Sequence, residues 1–251
     1  MIDGNELKNI DLNEKIIDCK DEEVIIKEEK LGERKEMQTI KFNTFENLNQ
    51  KTFFTIEFEI GKKLKNGGGF FCKIPDPNNN NKKIKVLITC YHVLNEFFEN
   101  QINTISYKYR EGKTEYLNLK NRVNCRDEHL DYACFQILEE DNIHDFLDID
   151  ENSVLNNNLS QDLKNKVINI FFTTEISLGT IKCISEDENY IRYNCDTIEG
   201  WSGSPISNND NNLIIGIHQG YSRNLNGGLL IKSILSDMKN KNVHFKEENQ
   251  E

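Results

Sequence analysis

Residues 199–205 read EGWSGSP, and they hold the chain's only tryptophan, Trp201, with one of its three prolines, Pro205. Two glycines and two serines surround them, and a short apolar stretch, Leu213–Ile217, follows. Small residues with Gly and Pro mark a surface turn. The same residues also suit a nucleophile loop, with Ser202 presented for attack and a glycine on either side to let backbone approach. A lone G-x-S-G arises easily by chance, so its meaning depends on what the rest of the chain supplies.

The 251 residues are enough for one large domain or two small ones. A formal net charge of −11 disfavours a nucleic-acid partner, because phosphate binding needs a basic face. No apolar run approaches the ~20 residues of a membrane span. The N-terminal MIDGNELKNIDLNEK lacks the charged-then-apolar pattern of an export signal. The seven cysteines include no C-x-x-C pair and read as reduced thiols of a cytoplasmic protein, mostly acting as small buried hydrophobes. Nothing in the pattern calls for a metal or cofactor. DIDENS (148–153) begins like a calcium loop, but Ser153 stands where glycine is needed and Leu159 where the bidentate glutamate belongs.

Residues 1–37 are charge-dense and read as a solvated helix or disordered extension. From Thr52 the texture changes. In TFFTIEFEI (52–60), Phe54, Ile56, Phe58 and Ile60 alternate with Thr55, Glu57 and Glu59, the period of a half-buried strand. GFFCKI (69–74), IKVLITC (84–90), QINTISYKY (101–109), TEYLNLK (114–120) and YACFQI (132–137) follow as strands. GKKLKNGG and PDPNNNNKK between them read as turns, and the asparagines at 78–81 as loop filler. HVLNEFF reads as a short helix. This first unit, 38–140, holds six strands. An acidic, asparagine-rich connector, 141–165, leads to a second six: KVINIFFT (166–173), LGTIKCI (178–184), NYIRYNC (189–195), SPIS (204–207), LIIGIH (213–218) and GGLLI (227–231). A helix, IKSILSDMKN (231–240), closes the second unit, 166–245, and a charged tail, 246–251, ends the chain. The expected architecture is all-β: two six-stranded antiparallel barrels side by side with a short C-terminal helix.

A serine hydroxyl needs a base to take its proton, and the base needs an orienting acid. VLITCYHVL delivers His92 at the end of an apolar strand, rigidly held yet open to a cleft. HLDYACFQI places Asp131 directly before an apolar strand, whereas Asp127 lies in the polar run RDEH. His92, Asp131 and Ser202 follow in that order, the first two in the first strand set and Ser202 in the second. An α/β-hydrolase would need the order Ser, Asp, His and a strand–turn–helix setting.

With T-C-Y-H-V (89–93), D-Y-A-C-F-Q-I (131–137) and G-W-S-G-S-P-I (200–206), residues 50–240 resemble the chymotrypsin-fold, trypsin-like serine peptidases of clan PA. S-G-S-P followed by I-G-I-H-Q-G (215–220) is most similar to their glutamyl endopeptidase-like branch. The resemblance implies two barrels with the active site in the cleft between them, and a protein or peptide substrate. It implies His92 as base, Asp131 as orienter, Ser202 as nucleophile, and the backbone N–H groups of Gly200 and Ser202 as oxyanion hole. Trp201 departs from the trypsin pattern, in which an aspartate precedes the nucleophile and pairs with a newly cut N-terminus, so no activating cut is expected. Glu199 beside the oxyanion hole is unusual.

The resemblance also places Thr197, His218 and Gly220 around the substrate side chain that precedes the cut bond. With no aspartate at the pocket base, the expected preference is for Glu or Gln. A histidine of ordinary pKa would favour Glu increasingly as pH falls toward about 6.5. The competing reading is an inactive relative that uses the same cleft for binding. The oligomeric state is left open.

Overall fold

The structure is a computed structural model describing residues 52–60, 63–109, 112–152, 162–172, 175–222 and 225–246. The extension expected at 1–37, part of the connector and residues 247–251 lie outside the described residues.

The first half is an eight-stranded sheet. It contains β1 (Phe53–Ile60), β2 (Lys63–Asp76), β3 (Asn79–Thr89), β4 (Thr104–Lys108), β5 (Thr114–Asn118), β6 (Asn124–Asp127), β7 (Tyr132–Gln136) and the two-residue β8 (Leu147–Asp148). Helix α1 (Tyr91–Glu99) follows β3. The strand order is β5-β4-β1-β2-β3-β7-β6, with β8 added parallel to β2. The second half contains β9 (Val167–Phe172), β10 (Glu175–Ile184), β11 (Tyr190–Tyr193), β12 (Pro205–Asn208), β13 (Ile214–Ser222) and β14 (Leu225–Leu230). These close into a barrel in the order β10-β11-β14-β13-β12-β9, and helix α2 (Ile231–Asn240) ends the fold.

Two six-stranded barrels were expected; one closed six-stranded barrel and one eight-stranded, half-barrel sheet are found. The difference comes from short or polar strands. β6 is NCRD, in which only Cys125 is buried, so no alternation marks it. β8 is two residues long. Lys63–Gly68 of the turn-like piece GKKLKNGG is instead part of β2, and Asn79–Asn81 belong to β3, leaving only Pro77–Asn78 as the turn between β2 and β3.

Where alternation was clear, burial follows it. On β1, Phe54, Ile56 and Phe58 are buried while Thr55 and Glu57 are half-buried. Phe54 packs against Phe71 and Tyr107, and a continuous apolar cluster runs from these rings to β3, β7 and helix α2. A second cluster fills the barrel, where Trp201 is fully buried and stacks on Phe172 at 5.4 Å.

The halves meet through glycines. Gly68 N–H donates to Ser202 O at 2.6 Å, and Thr89 Oγ1 donates to Gly68 O at 2.7 Å. A Cβ on Gly67 would meet Val93 Cγ2 at 2.5 Å, and one on Gly68 would meet Ser204 Oγ at 2.6 Å. Gly68 sits in a strand because the backbone of Gly203 and Ser204 presses on it, and Gly67 because the Val93 side chain does. Phe53 adds a ring contact to Phe171 of the barrel.

Candidate active site

His92 follows the end of β3, in the first turn of α1, whose N-cap is Cys90. Val93, Leu94 and Phe97 are the buried face of that helix and fix its orientation. The imidazole remains about one-third exposed.

Asp131 occupies the turn between β6 and β7 and is buried, 3% exposed. Its φ is +56°, a left-handed conformation that aspartate tolerates better than most residues. The turn is tied down on several sides. Asp127 Oδ1 accepts from His129 N–H and Leu130 N–H, and Tyr190 of the barrel donates its hydroxyl to His129 O. The next residue, Tyr132, donates to Asp237 of α2 at 2.6 Å. Lys241 bridges Asp237 and Asp127 at 2.7 and 2.9 Å.

The structure brings His92 and Asp131 together. His92 N–H donates to Asp131 Oδ1 at 2.9 Å, and the ring Nδ1 lies 2.7 Å from Oδ2. A buried carboxylate needs such partners, and the contact with Oδ2 also favours the proton on Nδ1. Burial lowers the His92 pKa, but the charge of Asp131 and its hydrogen bond outweigh this and hold it above the ordinary 6.5. Cys90 lies beside the pair and donates its thiol to His218 O at 3.2 Å. Burial, with the Asp131 charge, pushes that thiol well up, so it stays protonated.

Ser202 is part-buried in the loop between β11 and β12. Its hydroxyl donates to Gln219 O at 3.0 Å, turned toward β13. Ser204 is a poor candidate for attack, being 1% exposed. The loop is stitched by Gly203 N–H to His218 O at 2.7 Å, Ser204 N–H to Trp201 O at 3.0 Å and Trp201 N–H to Ile198 O at 3.3 Å. Among the described residues, no recorded hydrogen bond engages the N–H of Gly200 or of Ser202. Gly200 has φ +94°, and a Cβ there would find only Asn66 Oδ1, at 3.7 Å. Glycine is therefore demanded by backbone conformation rather than by crowding. Glu199 is exposed, directed at solvent.

Gly203 is the tighter case. It has φ +91°, and a Cβ would collide with Gly68 O and stand 2.6 Å from Thr89 Oγ1. Gly203→Ala is expected to destabilise the fold by about 2–6 kcal/mol, from left-handed strain and overpacking together. Chemical denaturation checks this: an unfolding midpoint equal to that of the parent protein would contradict the close approach of the halves.

On the proposed pocket wall, Thr197 Oγ1 donates to Asn226 Oδ1 at 2.7 Å, and Asn226 Nδ2 donates to Cys195 O. His218 is buried, 2% exposed, with Nδ1 2.7 Å from the Tyr193 hydroxyl. Tyr193 also reaches Gly227 O at 3.1 Å. Burial, then the nearby charge of His92, brings the His218 pKa down to about 3, against a weaker upward pull from Gly227. The ordinary titration expected of this residue is thus corrected: the ring is neutral throughout the physiological range. A Cβ on Gly220 would meet nothing within 4 Å, so the strand beside His218 faces open space. Sequence reading missed Tyr193, Asn226 and Gln219, whose contacts depend on strand register.

Cys72, Cys90, Cys125, Cys134 and Cys195 are free thiols among the described residues. No helix among these residues is long and apolar enough to cross a membrane.

The trypsin-like peptidase domain profile matches residues 74–217. No curated protein matches the chain. Among solved structures, a serine endoprotease from Yersinia pestis is 13% identical, with TM-score 0.53, over 76% of this chain and 62% of that one. A mutant of the tobacco etch virus protease is 15% identical, with TM-score 0.51, over 82% and 80%. At these identities the likeness concerns the fold.

Proposed function

Because the chain belongs to the trypsin-like peptidase domain family, we propose that it is a serine endopeptidase with Ser202 as nucleophile, His92 as base and Asp131 as orienter. The observation that carries this reading is the two-point contact of His92 with Asp131 at 2.9 and 2.7 Å, on a turn held by both halves. In the acylation step, Ser202 Oγ leaves the Gln219 carbonyl, gives its proton to His92 Nε2 and attacks the substrate carbonyl. Asp131 stabilises the imidazolium that forms. The N–H groups of Gly200 and Ser202 receive the oxyanion, each donor contributing about 3–4 kcal/mol in the transition state. His92 then protonates the leaving amine, and water hydrolyses the acyl-enzyme by the same relay. Trp201 is buried against Phe172 and offers no carboxylate for a new N-terminus, so activity is expected without an activating cut.

His218, Thr197 and Gly220 form the pocket for the side chain before the scissile bond. A neutral imidazole matches an amide, which both donates and accepts, better than a carboxylate that must shed its hydration. Cleavage after Gln, with Glu second, is therefore the expected preference, and its ranking stays constant as pH falls through 6.5. A peptide library varied only at that position checks this. A best cut after Arg, Phe or Ala, or an unchanged ranking in His218→Ala, removes the pocket assignment and leaves the triad untouched.

One observation favours a non-catalytic binding module instead: Ser202 Oγ is recorded against Gln219 O rather than His92. Serine–base hydrogen bonds are often long or misaligned before substrate arrives, so this geometry is compatible with catalysis. A fluorophosphonate probe separates the two readings. Labelling at Ser202 of folded protein supports the peptidase, and its absence supports the module.

A further inference from the structure

Gln219 touches both ends of the catalytic arrangement. The β13–β14 register pairs His218 with Gly228 and Gly220 with Gly227, leaving Gln219 as a bulge residue without a ladder partner. Bulges re-aim groups beside active sites. Here the carbonyl that the bulge frees accepts the Ser202 hydroxyl at 3.0 Å. The side chain, 6% exposed, crosses to the other half of the molecule. Its Nε2 donates to Leu130 O at 2.6 Å and to Asp131 O at 3.2 Å. A carboxamide NH2 has two protons for these two carbonyls, and the flipped amide would set Oε1 against them. Oε1 itself is buried without a recorded partner. An orphaned buried acceptor costs about 1–3 kcal/mol, so what keeps the group buried is its donor end.

The two carbonyls belong to the turn that carries Asp131 at φ +56°. Tyr190 takes the preceding carbonyl, His129 O, at a longer 3.3 Å. We propose that Gln219 is a positioning residue that registers the acid-bearing turn of the first half against β13 and the nucleophile loop of the second. It acts on the reaction through Asp131 and His92. This rests on the serine-peptidase reading above.

The chemical consequence is a change in basicity. If the turn is free to relax, Asp131 holds the imidazolium less well, and the His92 pKa falls. The other titratable groups recorded facing His92 are His218 from β13 and Cys90 on its own segment. His218 is neutral and Cys90 protonated, so neither replaces the lost charge stabilisation.

Gln219→Met keeps the length of the side chain and removes both donors. The readouts are the pH dependence of fluorophosphonate labelling at Ser202, and kcat and KM on a peptide cut after Gln. The expected result is a fall in labelling rate and kcat of about tenfold or more. KM should stay within about twofold, with the acidic midpoint moved to lower pH and the variant still folded at the assay temperature. A purely structural role predicts loss of folded protein with the midpoint fixed, and that result overturns the proposal, as do unchanged rates. Should the methionine variant not fold, Gln219→Asn, one methylene short of both carbonyls, carries the same comparison. If the wild type itself is not labelled, the serine-peptidase reading falls and this proposal with it. If the wild type is labelled and the variant keeps its midpoint, only this proposal falls.

Discussion

Ser202→Ala is expected to lower kcat by about 10⁶, with His92→Ala nearly as severe and the double variant little worse than either. Non-additivity is the informative part. A hydroxyl without its base, and a base without its hydroxyl, both leave only binding and oxyanion stabilisation. Ser204→Ala is the companion measurement. That hydroxyl is buried with no recorded partner, on the far side of Gly203, and its loss should leave most activity. Steady-state kinetics on one peptide decides among them. If Ser204→Ala is the inactive variant, the register of the nucleophile loop is wrong. If the two single losses multiply in the double variant, the residues do not act as one unit.

The second large effect belongs to Asp131→Asn, for which kcat should fall by about 10⁴. Asparagine fits the same space but presents an NH2 to His92 Nδ1, which favours the wrong ring tautomer. The pH profile gives an independent sign. His92 is the base only when neutral, and Asp131 holds its pKa above 6.5. Wild-type activity is therefore lost on acidification from a midpoint above that value. Without the carboxylate, burial is the remaining large influence and lowers the pKa, so the residual activity of the variant persists to lower pH. Rate measurements across the acidic limb test this. A limb that stays in place, or a loss under about tenfold, would show that Asp131 does not govern the imidazole.

Much of this arrangement was legible in the sequence because the informative residues carry local signals. TFFTIEFEI announced β1 by alternation alone, and the ten residues read as the closing helix are those of α2. His92 and Asp131 stood out as candidates because each borders an apolar strand, and Ser202 because glycines surround it. The remainder is tertiary. Gly67 and Gly68 look like part of a turn until Val93 and the loop of Ser202 are laid against them, since a Cβ on Gly68 would run into the Ser204 backbone and one on Gly67 into Val93. Gln219 looks like any polar strand residue until the bulge aims it at Leu130 and Asp131. His218 looked titratable because sequence says nothing of the Tyr193 hydroxyl or of the burial that keeps the ring neutral.

The glycine seam has a consequence for when activity can exist. The nucleophile loop leans its Ser202 carbonyl on Gly68, a residue of the opposite half, while the acid-bearing turn takes contacts from Tyr190 and Gln219 of the barrel. Neither half carries a finished half of the chemistry. Each shapes the other's segment, so on the serine-peptidase reading competence requires the two halves docked together. Partial separation along the seam would silence the centre while both cores stayed intact, making catalysis a more sensitive gauge of this junction than any measure of secondary structure.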